Sequence, residues 1–328
     1  MSSKSRELPY SLAINEALHQ MMLADRNVFL LGQGVKSPWY VGNTVRGLLK
    51  RFGPERVIDT PVSENAVTGV GVGAAISGMR PVIVHPRMDF MLYAMDPIIN
   101  EAANWHYMSG GNSSAPIVFW TIINRGGEQA AQHSQALQAM FTHIPGLKVV
   151  MPATAYDAKG LFIAAIKDDN PVLYIDDRWL YNQKGKVPEE IYTVPIGKGV
   201  IRKKGRDVTV VATSYMLSEA NKAVKELEKD KINVELIDLR SLKPLDENLL
   251  FSSVRKTGRL VVVDAAWKTC GIAAEISARV IENVFKYLKA PIARVNLPDS
   301  PAPASSILEK EYYLRDKDII SAVRKVLR

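Results

Sequence analysis

Short apolar runs alternating with helix-periodic stretches are the feature that most constrains how this chain folds. Runs at residues 28–31, 56–58, 82–84, 117–123, 148–150 and 172–175 read as strands. Most are separated by amphipathic stretches, the first of which sets Ala13, Ile14, Ala17, Leu18, Met21 and Met22 at helical spacing. Such alternation predicts an α/β fold, a largely parallel sheet covered by helices on both faces. The periodicity lapses across 178–195, where Gly185, Pro188 and Pro195 punctuate a polar stretch. It resumes with runs at 208–212, 234–237, 260–263 and 292–295. Two domains are therefore expected, one at 1–185 and a smaller α/β domain at 196–328.

Composition narrows the function classes. The 328 residues are 47% hydrophobic and 23% charged, enough to bury two cores. A net charge of +8 attracts phosphorylated ligands, nucleic acid or acidic partners alike. The densest basic stretch, 198–206, lacks the interleaved aromatics of a single-strand nucleic-acid site and reads as a solvated hairpin loop. The single cysteine, Cys270, excludes an internal disulfide framework and fits a reducing compartment. The apolar run at 117–123 is too short to span a bilayer, and the polar start, 1–9, shows no targeting signal. A cytoplasmic or organelle-matrix protein without membrane or nucleic-acid partners is expected.

Three motifs invite a chemical reading. Gly69-Val70-Gly71-Val72-Gly73-Ala74 satisfies a loose dinucleotide fingerprint, with Asp89 about 20 residues on. Pro61 breaks the strand that a true fingerprint needs, and Ser63 looks like a helix N-cap. The glycines Gly69, Gly71, Gly73 and Gly78 are thus expected inside a helix that another backbone approaches closely, a subunit interface being the favoured explanation. Glu64 opens that helix, where a carboxylate is also a plain capping acid. His133 lies in a long loop, 124–135, after the buried run at 117–123; ligands collect at the carboxyl ends of parallel strands, and an imidazole can exchange a proton near neutral pH. On position alone, a packing histidine explains it equally well. The five histidines show no zinc-like spacing, and neither a P-loop nor a nucleophile elbow occurs.

Asp59-Thr60-Pro61-Val62-Ser63-Glu64-Asn65, Tyr107-Met108-Ser109-Gly110-Gly111 and Ala130-Ala131-Gln132-His133-Ser134-Gln135 occur in that order, followed by Pro145-Gly146-Leu147-Lys148-Val149-Val150 and Leu297-Pro298-Asp299. The series resembles the beta subunit of thiamine-diphosphate-dependent 2-oxo-acid dehydrogenases of the pyruvate dehydrogenase type, along nearly the whole chain. The resemblance implies a pyrimidine-binding domain with a parallel sheet and a transketolase C-terminal-type domain. It gives Glu64 the bond to N1′ of the aminopyrimidine, a task suited to a carboxyl in a water-poor crevice. Phe90 matches the ring that stacks on the pyrimidine, and His133 matches the histidine that orients or protonates the intermediate during acyl transfer to a lipoyl group. Ile117, Ala165, Asp168 and Asn170 match the potassium site of some relatives, though an ordinary helix-to-strand turn explains them equally. The Gly-Asp-Gly and asparagine element that holds magnesium and the diphosphate is not found. The implied partner is an alpha subunit that supplies it, in a tetramer of two alpha and two beta chains, with a lipoyl acyltransferase core as a further partner. Gly69, Gly71, Gly73 and the segment 94–103 are expected where helices cross between subunits.

The sequence departs from the family's pattern at Gly32-Gln33-Gly34, where relatives carry acids, at His85-Pro86-Arg87 before Phe90, and at Cys270, which replaces a glycine. His85 and Arg87 are expected either to add positive charge to a substrate pocket or to form a surface salt bridge. Rival readings are a transketolase-like or carboligating enzyme without a lipoyl acceptor, a scaffold that has lost activity, and the nicotinamide-dependent dehydrogenase of the glycine fingerprint.

Overall fold

Each apolar run predicted as a strand overlaps a strand of the structure, starting at most one residue before it, most of them buried along their full length. The structure, a computed structural model, describes residues 6–37 and 41–328. These gather into two units. The first runs up to Asn124 and takes in Met140–Ile196; the second joins Arg125–Ala139 to Gly197–Arg328.

In chain order the first unit comprises β1 (Arg6–Pro9), α1 (Tyr10–Ala24), β2 (Val28–Gly32), α2 (Leu48–Phe52), β3 (Val57–Asp59), α3 (Glu64–Ile76), β4 (Arg80–His85), α4 (Asn104–Met108) and β5 (Val118–Ile123). After α5 (Gln138–Thr142), the return segment, come β6 (Lys148–Val150), α6 (Ala155–Lys167), β7 (Val172–Asp177) and β8 (Lys184–Val187). Its main strands run in the order β6-β7-β5-β4-β2-β3, all parallel. β1 and β8 form a separate antiparallel ribbon. The parallel strands are covered because Ala13, Ile14, Ala17, Leu18, Met21 and Met22, one face of α1, are all buried.

The second unit holds β9 (Val200–Lys203), β10 (Val208–Ala212), α7 (Met216–Lys229), β11 (Val234–Asp238), β12 (Ser241–Lys243), α8 (Glu247–Thr257), β13 (Leu260–Trp267), α9 (Ile272–Val284), β14 (Ala293–Leu297), α10 (Ser306–Tyr312) and α11 (Asp316–Leu327). Five strands align as β14-β13-β10-β11-β9, with β9 antiparallel at the edge. Of the basic stretch 198–206 expected to be a hairpin loop, Val200–Lys203 form this edge strand instead. Its charges serve it there: Arg202 bonds Asp238 at 2.7 Å, and lysines on an exposed edge discourage pairing with other chains. Among the described residues no helix is long and apolar enough to cross a membrane.

Candidate active site

Glu64 is the first residue of α3, and Thr68, Gly71, Val72 and Ala75 follow it at intervals of four, seven, eight and eleven residues. That spacing puts Glu64 at the top of the helix face that meets the sheet. Gly71 makes the approach possible, since a Cβ there would lie 2.4 Å from Ile83 Cδ1 and 3.4 Å from Ile117 Cδ1. Close packing at Gly71 is thus with the chain's own strands, not with another subunit as expected. Gly69 and Gly73 face open space, and Gly78 lies beyond the helix at φ +95°, in the left-handed conformation that helix ends favour. Ser63 holds the N-cap position with φ −161°, but its side chain makes no capping bond.

The half-buried Glu64 lines a shallow cleft with Gln33, Thr60, Pro61, Ser63, Val67, Val84, His85 and Pro86. Apart from Glu64 and Val67, which belong to the first turn of α3, these residues lie at the carboxyl ends of β2, β3 and β4 or in the turns that follow, the end where parallel sheets bind ligands. Gln33 is held in place by its neighbours: Asp59 Oδ1 accepts from Val35 N at 3.0 Å, and Gly32 O accepts from Thr60 N at 3.2 Å. Gly32 admits no side chain, because a Cβ would stand 2.5 Å from the Val84 carbonyl.

His85 is 2% exposed, and its Nε2 lies 3.2 Å from the Thr68 hydroxyl. Burial lowers its pKa to about 4, so the ring is neutral near pH 7. The expectation that His85 brings positive charge is therefore corrected: desolvation of the cation outweighs anything the cleft returns. With the Asn124 amide turned so that its oxygen faces the Arg87 guanidinium, that oxygen accepts at 2.7 and 3.0 Å. Phe90 is half-buried in the 3-10 turn Met88–Ala94 and is not among the residues lining the Glu64 cleft.

The turn carrying the expected potassium donors is organised by cations of the chain itself. Asp168 Oδ2 accepts from Lys148 Nζ at 2.5 Å, and Asp168 O accepts from Arg80 Nη1 at 3.1 Å. Asp168 Oδ1 accepts from Asn170 N at 2.9 Å, the Ala165 carbonyl from Asp168 N at 3.3 Å, and the Ile117 carbonyl from Val172 N at 3.0 Å.

His133 belongs to the second unit, within Arg125–Ala139, and is half-buried in a short 3-10 turn, Ala131–His133. Two groups of residues that sequence reasoning passed over shape these surroundings. Thr68, the partner of His85, was detectable as a hydroxyl one helical turn after Glu64. Gln138 and Asp264, which bond at 2.7 Å, are 126 residues apart and carried no local signal. Buried Asp264 has its pKa raised to about 6 by desolvation, against which Gln138, the Ala266 amide, Arg125 and Asn296 act.

The Transketolase, pyrimidine binding domain family matches residues 6–183, and the Transketolase, C-terminal domain family matches 197–319. The pyruvate dehydrogenase E1 component subunit beta of Rickettsia bellii is 43% identical over 314 residues, covering 96% of this chain and 97% of that protein. The chain belongs to this family of beta subunits. A second relative of the beta subunits, the acetoin:2,6-dichlorophenolindophenol oxidoreductase subunit beta of Cupriavidus necator, is 43% identical over 334 residues, covering 99% of this chain and 98% of that protein. The fold itself is shared with a solved structure described as a split gene transketolase, inactive beta4 tetramer, at a TM-score of 0.78 and 24% identity over 98% of each chain.

Proposed function

We propose that this beta subunit activates thiamine diphosphate together with an alpha subunit, in an enzyme that decarboxylates a pyruvate-like 2-oxo acid and transfers the acyl group to a lipoyl acceptor. The observation that carries the reading is the placement of Glu64: a carboxyl at a helix start, lining a cleft at the carboxyl ends of three parallel strands. The donor set fits an aminopyrimidine, since Val67, Val84, Pro61 and Pro86 offer apolar contact to a flat ring and Glu64 offers an oxygen to a ring nitrogen. When bound, the cofactor supplies a carbanion that attacks the substrate carbonyl and accepts the electrons of decarboxylation.

The chain's own part is to hold and move protons. Glu64 would hold the N1′ side of the aminopyrimidine through a shared proton and supply the acid-base assistance that the ring's chemistry needs. Phe90 supplies an aromatic face toward the ring. His133 orients or protonates the bound substrate during acyl transfer. Glu64 is only half-buried in this chain, so the water-poor environment this chemistry needs comes from the alpha subunit, which also supplies the magnesium and diphosphate contacts. The assembly is a tetramer of two alpha and two beta chains, docked to a lipoyl acyltransferase core. Potassium at Ile117, Ala165, Asp168 and Asn170 would share the Asp168 oxygens with Arg80 and Lys148.

The equally similar relative named for acetoin favours a second reading, in which the same Glu64 and His133 serve a carboligating or acetoin-cleaving enzyme. Co-expression with an alpha subunit, followed by thiamine-diphosphate binding and turnover of pyruvate and acetoin, separates the two. Glu64→Gln should reduce turnover by roughly 10²–10⁴-fold, the range of a lost acid-base group. Undiminished turnover in that variant refutes both readings.

A further inference from the structure

The segment that carries His133 is bolted to the second unit at both ends. At its start, Gly126 N donates to the Tyr313 hydroxyl at 3.2 Å and Glu128 N donates to Glu309 Oε1 at 3.0 Å. Glu128 returns the contact, its Oε1 accepting from Ser306 N at 3.4 Å. At its far end Gln138 Nε2 donates to Asp264 Oδ1 at 2.7 Å. The Glu128–Ser306 contact is exposed, but the side chains that anchor the segment are buried: Tyr313 is 4%, Glu309 7%, Gln138 0% and Asp264 1% exposed.

Between the anchors the backbone is strained. Gly126, Gly127, Glu128 and Ala130 all have positive φ. Ala130, three residues before His133, sits at φ 57° and ψ −164°, a region otherwise left almost entirely to glycine. A conformation this unfavourable persists only where surrounding structure imposes it. Glu309 and Tyr313 hold two of these positive-φ residues directly, at Gly126 N and Glu128 N, just before Ala130, and neither belongs to the residues the family reading singles out.

We propose that Glu309 and Tyr313 are positioning residues for His133: they clamp the 126–130 backbone in its strained form and so fix where the imidazole points. This rests on the catalytic reading of His133 given above. The second domain thereby acts as the holder of a group that the first domain's stretch of sequence encodes.

The test uses the enzyme assembled with its alpha subunit and pyruvate as substrate. Glu309→Ala and Tyr313→Phe each remove one acceptor, whereas Glu309→Gln keeps an oxygen in place. The expected result is at least tenfold faster amide hydrogen exchange across 126–133 in Glu309→Ala and Tyr313→Phe. Their kcat for lipoyl acylation should fall about tenfold at unchanged KM for pyruvate, and Glu309→Gln should restore both readouts. If Glu309→Ala fails to fold, Tyr313→Phe decides alone. Unchanged exchange in these variants overturns the clamp. Faster exchange with undiminished kcat, in an enzyme that His133→Ala inactivates, overturns the positioning role. A fully active His133→Ala overturns the reading on which the proposal rests, and only that variant reports it.

Discussion

The Thr68 hydroxyl and His85 Nε2 lie 3.2 Å apart, so one buried bond ties the helix that begins with Glu64 to the end of β4. Burial there tolerates a neutral imidazole and penalises a charged one, which gives stability a defined pH dependence. His85 has its pKa lowered to about 4 in the folded chain, against an ordinary 6.5. The unfolded chain therefore takes up its proton first. Stability contributed by neutral His85 is complete above pH 6.5 and is lost as pH falls toward 4, by about 3 kcal/mol for a shift of this size. Denaturant titrations between pH 4 and 7 should show this slope in the wild type and a flatter one in His85→Gln.

Asp176 should act in the opposite sense. It is fully buried at the end of β7, where Oδ2 accepts from Trp120 Nε1 at 3.1 Å and from the Tyr181 hydroxyl at 3.2 Å. Desolvation raises its pKa to about 7, from 3.8. The folded state here binds the proton more tightly, so the cost of the buried charge is full above pH 7 and is relieved as pH falls toward 3.8. Asp176→Asn should be more stable than the wild type at pH 8 by at least ~1 kcal/mol, with the advantage shrinking toward pH 5. Equal unfolding midpoints at both pH values would contradict this.

Two glycines of α3 should respond to alanine with opposite signs. Gly71→Ala places a methyl 2.4 Å from Ile83 Cδ1 in a buried, β-branched neighbourhood and should destabilise the chain by about 1–3 kcal/mol. At Gly73 a methyl meets nothing within 4 Å, and Gly73→Ala should stabilise the helix by up to ~1 kcal/mol. Thermal melts of the beta chain alone compare them directly. If Gly73→Ala also blocks assembly with the alpha subunit, the open face of α3 is a contact surface.

Ala130 offers a trade between stability and order. Its φ of 57° and ψ of −164° cost an alanine roughly 1–3 kcal/mol, and Ala130→Gly removes that strain while adding chain entropy of about 0.5–1 kcal/mol. A small net gain in unfolding free energy is expected, together with faster amide exchange around His133 and slower turnover. A destabilised Ala130→Gly variant would show that the strain has been misjudged.

Much of this architecture was legible because buried parallel strands announce themselves locally. The runs that became β2, β4, β5 and β10 need only their own side chains to be recognised, and Glu64 was marked by the Pro61 break and the helix start after it. The glycines were legible as close-approach residues, but not what they approach: Gly71 against Ile83 depends on register between a helix and a strand. The neutral state of His85 depends on enclosure by elements from several parts of the chain, so a charged residue was expected where a buried, uncharged one stands. Cys270 sits at φ 52°, a conformation that favours glycine, yet nothing in the sequence alone marks that angle.

Residues 125–139 lie in sequence inside the first unit but are built into the second. Cutting the gene in the polar stretch near residue 196 would therefore not yield two self-sufficient proteins. The carboxy-terminal fragment would lack an interior piece of its own core, and the amino-terminal fragment would carry a strained stretch deprived of the partners that shape it. Continuity of the chain across residue 196 is, on these grounds, a structural requirement.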